Sequence, residues 1–195
     1  MGYAPGPAMA VQPFEVHVSD DELADLDRRL AATRFIEATP DGDRASGVPV
    51  GFLRTLVEQW RGGFDWRALE RRINSLDNVL VDVRGLRLHC AVRKGAGPAP
   101  VGIVVVHGWP SSFVELLDLA ERLADPATHG GDPADSFDVV LPSIPGFAWS
   151  EAPRTLDWAS PEDDGDAIAE AMTELGSTGS WSTPTTSGRA PCASS

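Results

Sequence analysis

The sequence predicts an α/β fold, a helical N-terminal meander followed by the beginning of a parallel sheet. Three observations carry this. Apolar residues recur at helical spacing in successive segments before residue 76. They alternate with period two between Val79 and Val92. Beyond that, two continuous apolar runs, residues 101–106 and 137–147, have one amphipathic helical pattern between them and another after them. Strand, helix, strand, helix in that order is how an α/β sheet starts.

Each element has its own signal. Residues 1–13 are rich in Gly, Pro and Ala and read as a flexible leader. Ser19 and Glu22 form a capping box, with Val18 and Leu23 at the staple positions; Leu23, Leu26 and Leu30 then make an apolar stripe, and the helix is expected to end near Arg34. Residues 37–48 have loop composition. A second helix follows Pro49, with Phe52, Leu53, Leu56, Val57 and Trp60 on one side, and Gly62-Gly63 stops it. Asp65 is the N-cap of a third helix whose Trp66, Leu69 and Ile73 face inward. Trp60, Phe64 and Trp66 are expected to pack as core between this helical layer and the sheet.

The hairpin comes next. Val79, Val81 and Val83 alternate with other residues, Arg84-Gly85 turns the chain, and Leu86, Leu88, Cys90 and Val92 then alternate with Arg87, His89, Ala91 and Arg93. Cys90 falls on the apolar face as a core thiol, and His89 falls on the opposite face with a structural role. Residues 94–100 are a linker. The run VGIVVV (101–106) predicts a strand buried on both faces. Ser112 and Glu115 make a second capping box, with Leu116, Leu117, Ala120 and Leu123 as the buried stripe. Residues 125–136 form an exposed loop, and 137–147 a second buried strand ending in a Pro/Gly turn. Ser160-Pro161 starts a last helix with Ile168, Ala171, Met172 and Leu175 along one side.

Composition narrows the function classes. The chain has 195 residues, 42% hydrophobic and 23% charged, enough for a packed core. Sixteen basic against 29 acidic residues give a net charge of −13, which disfavours nucleic acid and anionic membrane surfaces as partners. No run approaches the ~18–20 apolar residues of a bilayer span. The first residues lack the basic start and apolar core of a signal peptide. Cys90 and Cys192 provide neither a disulfide framework nor metal spacing, so a cytoplasmic setting with no metal and no cofactor is expected. Nothing in the sequence sets an oligomeric state.

The chemistry-bearing segment is His107-Gly108-Trp109-Pro110, directly after the first apolar run. A chain leaving the C-terminal edge of a parallel strand faces the crevice where α/β proteins bind ligands. Gly108 permits a tight turn, and Pro110 has no N–H and a fixed φ. The Trp109 N–H would then be held in one direction, as an oxyanion hole requires. An ordinary strand-to-helix turn is the other reading of so short a string. Ser111, Ser112 and Ser150 have no evident base and read as capping or turn residues. The sequence contains no G-x-S-x-G elbow, H-E-x-x-H, phosphate loop or G-x-G-x-x-G.

Residues 14–175 carry a resemblance more specific than this tetrapeptide. FEVHVSDDELADLDRRLAATR, GFLRTLVEQW with GFDWRALERRIN, VRGLRLHCAVR, VVVHGWPSSFVELLDLAERLADP and FDVVLPSIPGFAWSEAP stand in one order. Together they resemble the N-terminal portion of epoxide hydrolases of the microsomal and juvenile-hormone type, within the α/β-hydrolase superfamily. The resemblance implies an N-terminal domain over residues 14–95 and a partial α/β-hydrolase core over 96–175. It implies a small-molecule epoxide substrate, opened by an Asp nucleophile to an ester that a His-activated water hydrolyses, with two cap-domain tyrosines polarising the oxygen. It makes the Trp109 backbone N–H an oxyanion donor. His107, which is not the family's general base, becomes a loop-fixing residue with Gly108 and Pro110.

The sequence departs from the family pattern after Leu175-Gly176. No Asp or Glu follows Glu174, no His follows His129, and Tyr3 is the sole tyrosine. The nucleophile, acid and base are therefore absent, which predicts an inactive chain, with an interaction module that docks a completing partner as the alternative. A similarly cut esterase or dehalogenase is a third reading, disfavoured by the helical segment with GFDWR. Residues 176–195 are expected to be disordered: from Ser177 on they hold no Leu, Ile or Val. One account of this tail is an out-of-frame reading of the missing strand. With TCN codons at Ser180, Ser182 and Ser187 the shifted frame can encode an apolar run followed by Asp-Phe-Gly; AGY codons at Ser180 and Ser182 would exclude it.

Overall fold

The structure, a computed structural model, describes residues 11–36, 47–154, 158 and 160–177. The expected leader up to residue 10, most of the 37–48 loop and the tail from residue 178 lie outside the described residues. The contacts divide the chain into a helical unit, Val16–Arg72, and a sheet unit made of the described residues up to Glu15 and from Ile73 onward.

In the helical unit, α1 spans Asp20–Ala31, α2 Val50–Gly63 and α3 Trp66–Ile73. The first capping box is present. The Glu22 N–H donates to Ser19 Oγ at 3.3 Å, and the Ser19 N–H donates back to the Glu22 carboxylate at 2.9 Å. The stripe does not continue beyond Leu30, and α1 stops at Ala31 rather than near Arg34. Asp65 caps α3 by accepting the Ala68 N–H at 2.9 Å. Asp27 on α1 pairs with Arg61 on α2 at 2.9 Å.

The apolar stripes of α1 and α2 bury no residue fully. They line an open groove of about 960 Å³ together with Trp60 and Phe64. This corrects the expectation of an aromatic core: Trp60 and Phe64 are about half exposed. Three short helices enclose too little volume to seal these rings away from water.

The best-buried polar group of this unit is Glu70. Its carboxylate accepts the Val18 N–H at 2.7 Å, the Trp66 Nε1–H at 3.2 Å and Arg67 Nη1 at 2.6 Å. The Val18 amide above all, with Arg67 and Trp66, holds its pKa down to about 2.

The sheet unit contains β1 (Val11–Pro13), β2 (Asp77–Val83), β3 (Leu86–Arg93), β4 (Val101–Val104) and β5 (Phe137–Pro142), in the order β1-β2-β3-β5-β4. Only β4 and β5 run parallel; the other pairs are antiparallel. Residues 11–13, assigned to the leader by composition, form β1 and pair with Val79, Leu80 and Val81. The hairpin turn is Arg84-Gly85, with φ of 51° and 78°, the mirror-image turn that matches strand twist.

Alternation along β3 sends side chains to two covered faces. Leu88, Cys90 and Val92 pack with Ala167, Ala171 and Leu175 of α5 (Pro161–Ser177). Burial pushes the Cys90 thiol up to about 12, as expected of a core thiol. His89 faces the other side, against the ring of Phe113 at 5.0 Å.

Two further expectations change. Ser112 makes no side-chain cap; a single 3₁₀ turn, Phe113–Leu116, precedes α4 (Leu117–Ala124) instead. The reciprocal box occurs at α5, where Ser160 and Asp163 bond each other's amides at 3.0 and 3.3 Å. The run 101–106 is not buried on both faces. Among the described residues β4 is the sheet edge, with one neighbour, and Val101 and Val106 are 51% and 45% exposed. The doubly covered strand is β5, buried from Asp138 to Pro142.

Candidate functional site

The site lies where the two parallel strands end. Past β4, the Val105 N–H still bonds the Val140 carbonyl at 2.9 Å, and then the chain leaves the sheet. His107 turns inward and is 3% exposed; Gly108, Trp109 and Pro110 turn outward. The Ser111 N–H closes the turn on the Gly108 carbonyl at 2.9 Å. The Trp109–Pro110 peptide is cis.

His107 bridges the exits of β4 and β5. Its Nε2 lies 3.2 Å from the Ile144 N–H, which can only donate, so Nε2 is unprotonated. The proton sits on Nδ1 and is donated to the Gly108 carbonyl at 3.2 Å. The Phe147 ring packs edge-on at 5.3 Å and keeps the imidazole from rotating. The Trp109 N–H makes no hydrogen bond among the described residues, and the Trp109 side chain is 83% exposed.

His89 stands deeper in the same unit. It is fully buried, bonded to Asn78 Oδ1 at 3.1 Å and Ser143 Oγ at 2.9 Å, and burial lowers its pKa to about 4. Phe14, Phe113 and Trp149 surround it, with centroids 5.6, 5.0 and 5.4 Å away. Ser150, read from sequence as a turn residue, is a buried tie: its hydroxyl donates to the Ser143 carbonyl at 2.7 Å and accepts the His89 N–H at 2.9 Å. Sequence alternation gives the face of His89 but not this network, whose partners come from distant segments. No group of His, Cys, Asp and Glu among the described residues is arranged to hold a metal ion.

Comparison with known proteins decides the family. The family described as "Epoxide hydrolase N terminus" matches residues 11–116, more than half of the chain. The chain belongs to the epoxide hydrolase family. Epoxide hydrolase 1 of Oryctolagus cuniculus is 32% identical over 147 residues, 73% of this chain and 32% of that one. A Stigmatella aurantiaca (strain DW4/3-1) protein carrying a provisional epoxide hydrolase name is 39% identical over 165 residues, 85% of this chain and 36% of its own length. The chain thus spans about a third of the length of these curated relatives. The epoxide hydrolase of Aspergillus niger superposes with a TM-score of 0.72 at 29% identity, covering 87% of this chain and 45% of that one. The juvenile hormone epoxide hydrolase of Bombyx mori shares the fold, with a TM-score of 0.74 at 18% identity over 86% of this chain and 40% of that one. The five strands here are accordingly part of an α/β-hydrolase sheet, with the helical unit standing in the chain between β1 and β2. No helix among the described residues is long and apolar enough to cross a membrane.

Proposed function

We propose that this polypeptide carries the oxyanion-stabilising side of an epoxide hydrolase and does not by itself open an epoxide. The observation that supports it most is the Trp109 N–H. It has no partner among the described residues, it belongs to the turn at the C-terminal end of a parallel strand, and its peptide is held from behind by His107 and Ser111. In the reaction the family implies, hydrolysis of an aspartyl ester to release a vicinal diol, negative charge develops on the ester carbonyl oxygen. A pre-aimed donor stabilises that charge without reorganising. His107, Gly108 and Pro110 shape the turn that presents it.

A donor alone performs no chemistry. Residues 176–195 hold no Asp, Glu, His or Tyr that could act as attacking carboxylate, base or oxygen-polarising phenol. Incubating the purified 195-residue chain with styrene oxide is therefore expected to give no diol above buffer; clear turnover would overturn the reading.

The edge position of β4 supports a second reading, a non-catalytic module that pairs with a partner able to complete the sheet. It predicts a discrete heteromeric complex on a sizing column from native extract, whereas a free chain favours the first reading. Small-molecule epoxides are the substrate class under the first reading, and a cytoplasmic setting remains part of the proposal.

A further inference from the structure

Two sets of hydrogen bonds, Asn78–His89–Ser143 and Ile144–His107–Gly108, are joined by the Ser143–Ile144 peptide and lead from the hairpin to the Trp109 peptide; the chemistry of the members fixes the direction of each. Asn78 on β2 commits its amide nitrogen to the Ile73 and Leu76 carbonyls, at 2.9 and 3.0 Å. Its Oδ1 therefore accepts, and the proton between Asn78 and His89 sits on His89 Nε2. His89 Nδ1 is then bare and accepts the Ser143 hydroxyl. Ser143 is further held by its own N–H on the His89 carbonyl at 2.8 Å. The next amide, Ile144, is the one that donates to His107 Nε2. His107 is thus the opposite tautomer from His89, and its Nδ1–H pulls on the Gly108 carbonyl.

That carbonyl shares one rigid peptide plane with the Trp109 N–H. Two donors, His107 Nδ1–H and the Ser111 N–H, hold the oxygen from one side, so the N–H is obliged to point the other way. The bonds among Asn78, His89 and Ser143 are buried, so water does not compete for them, while the buried His107 ring reaches a part-buried Ile144 amide and Gly108 carbonyl. An apolar side chain at position 89 would fill the same space but would fix no direction at Ser143.

We propose that His89 and Ser143 are positioning residues for the Trp109 N–H, acting through Ile144 and His107 on the plane of the Gly108–Trp109 peptide. The proposal rests on the oxyanion reading for its purpose, but its test does not involve turnover, so the two fail separately.

The test is NMR on the full chain with ¹⁵N-labelled histidine and a uniformly labelled counterpart. At neutral pH the wild type is expected to show His89 protonated on Nε2 and His107 on Nδ1, while the exposed His17 and His129 give tautomer-averaged signals. Ser143→Ala, which removes a hydroxyl bonded to His89 and leaves both hydrogen-bond partners of the His107 ring in place, is expected to shift the His107 ring nitrogens toward averaged values and to move the Gly108 and Trp109 amide peaks. Ile144 amide exchange should rise roughly tenfold, the fold-change of about one net hydrogen bond. Cys90→Ala, on the opposite face of β3, is the control: it lowers global stability and leaves His107 and Trp109 unmoved. Ser143→Cys, a weaker donor of similar size, should move the same peaks less. The proposal is overturned if His107 keeps its tautomer and Trp109 its shift in Ser143→Ala, or if wild-type His89 is protonated on Nδ1. Should both variants fail to fold, the wild-type tautomer pair decides.

Discussion

At the scale of single residues, Glu70 and His89 make stability depend on pH on the acid side. Glu70 has a folded pKa of about 2 against an ordinary 4.5. Its contribution is fully present above pH 4.5 and is lost as the pH falls toward 2, because the unfolded carboxylate takes up its proton first. His89 is lowered to about 4 from 6.5. Its neutral form stabilises the fold above pH 6.5, and that stability is lost as pH falls toward 4. Stability measured by denaturant titration should therefore drop in two stages on acidification. Glu70→Gln should lower the midpoint at pH 7 and flatten the stage below pH 4.5 while leaving the upper stage intact; an unchanged lower stage would contradict the assignment. The Ser19–Glu22 box was legible in sequence because its partners are three residues apart. The Val18 amide that does most to hold Glu70 and the Ser143 hydroxyl on the His89 ring were not, because they lie 52 and 54 residues away.

At the scale of elements, two glycines test two different kinds of constraint. Gly85 adopts φ 78° in the hairpin turn, and an added Cβ there would meet nothing within 4 Å. Gly85→Ala should cost roughly 1 kcal/mol, the price of left-handed backbone alone. Gly97 has ordinary backbone, but a Cβ would stand 2.1 Å from the Pro133 carbonyl oxygen. Gly97→Ala forces residue 97 away from Pro133 and Ser136 and should cost about 1–3 kcal/mol by overpacking. Thermal melts of the two variants check the order; equal losses would mean the loop yields freely. Among the elements, the hairpin and its turn follow from period-two alternation around Arg84-Gly85. The edge position of β4 does not, since a continuous apolar run reports affinity for burial and not which neighbours supply it. Strand β1 escaped notice because three residues are too few to show a period, and its place comes from pairing with β2.

At the scale of the whole molecule, the α/β-hydrolase fold was legible because six separate segments resemble one family in one order, and the superposition on the Aspergillus niger enzyme agrees. The state of the aromatics was not, since Trp60 and Phe64 read alike whether they fill a core or line a groove. The described chain leaves a sheet edge and apolar side chains at Val101, Phe52 and Phe64 open to solvent. Such surfaces bind hydrophobic dyes and self-associate. The purified chain should bind ANS strongly and give a broad melt; low ANS signal with a sharp melt would contradict this.

The account turns on a main-chain hydrogen that is held still and left unpaired. Hydrogen exchange resolved at single amides tests it most directly. The Trp109 amide should exchange near its intrinsic rate while that of Ile144, bonded to His107, is protected; a Trp109 amide protected as strongly as Ile144 would contradict the account.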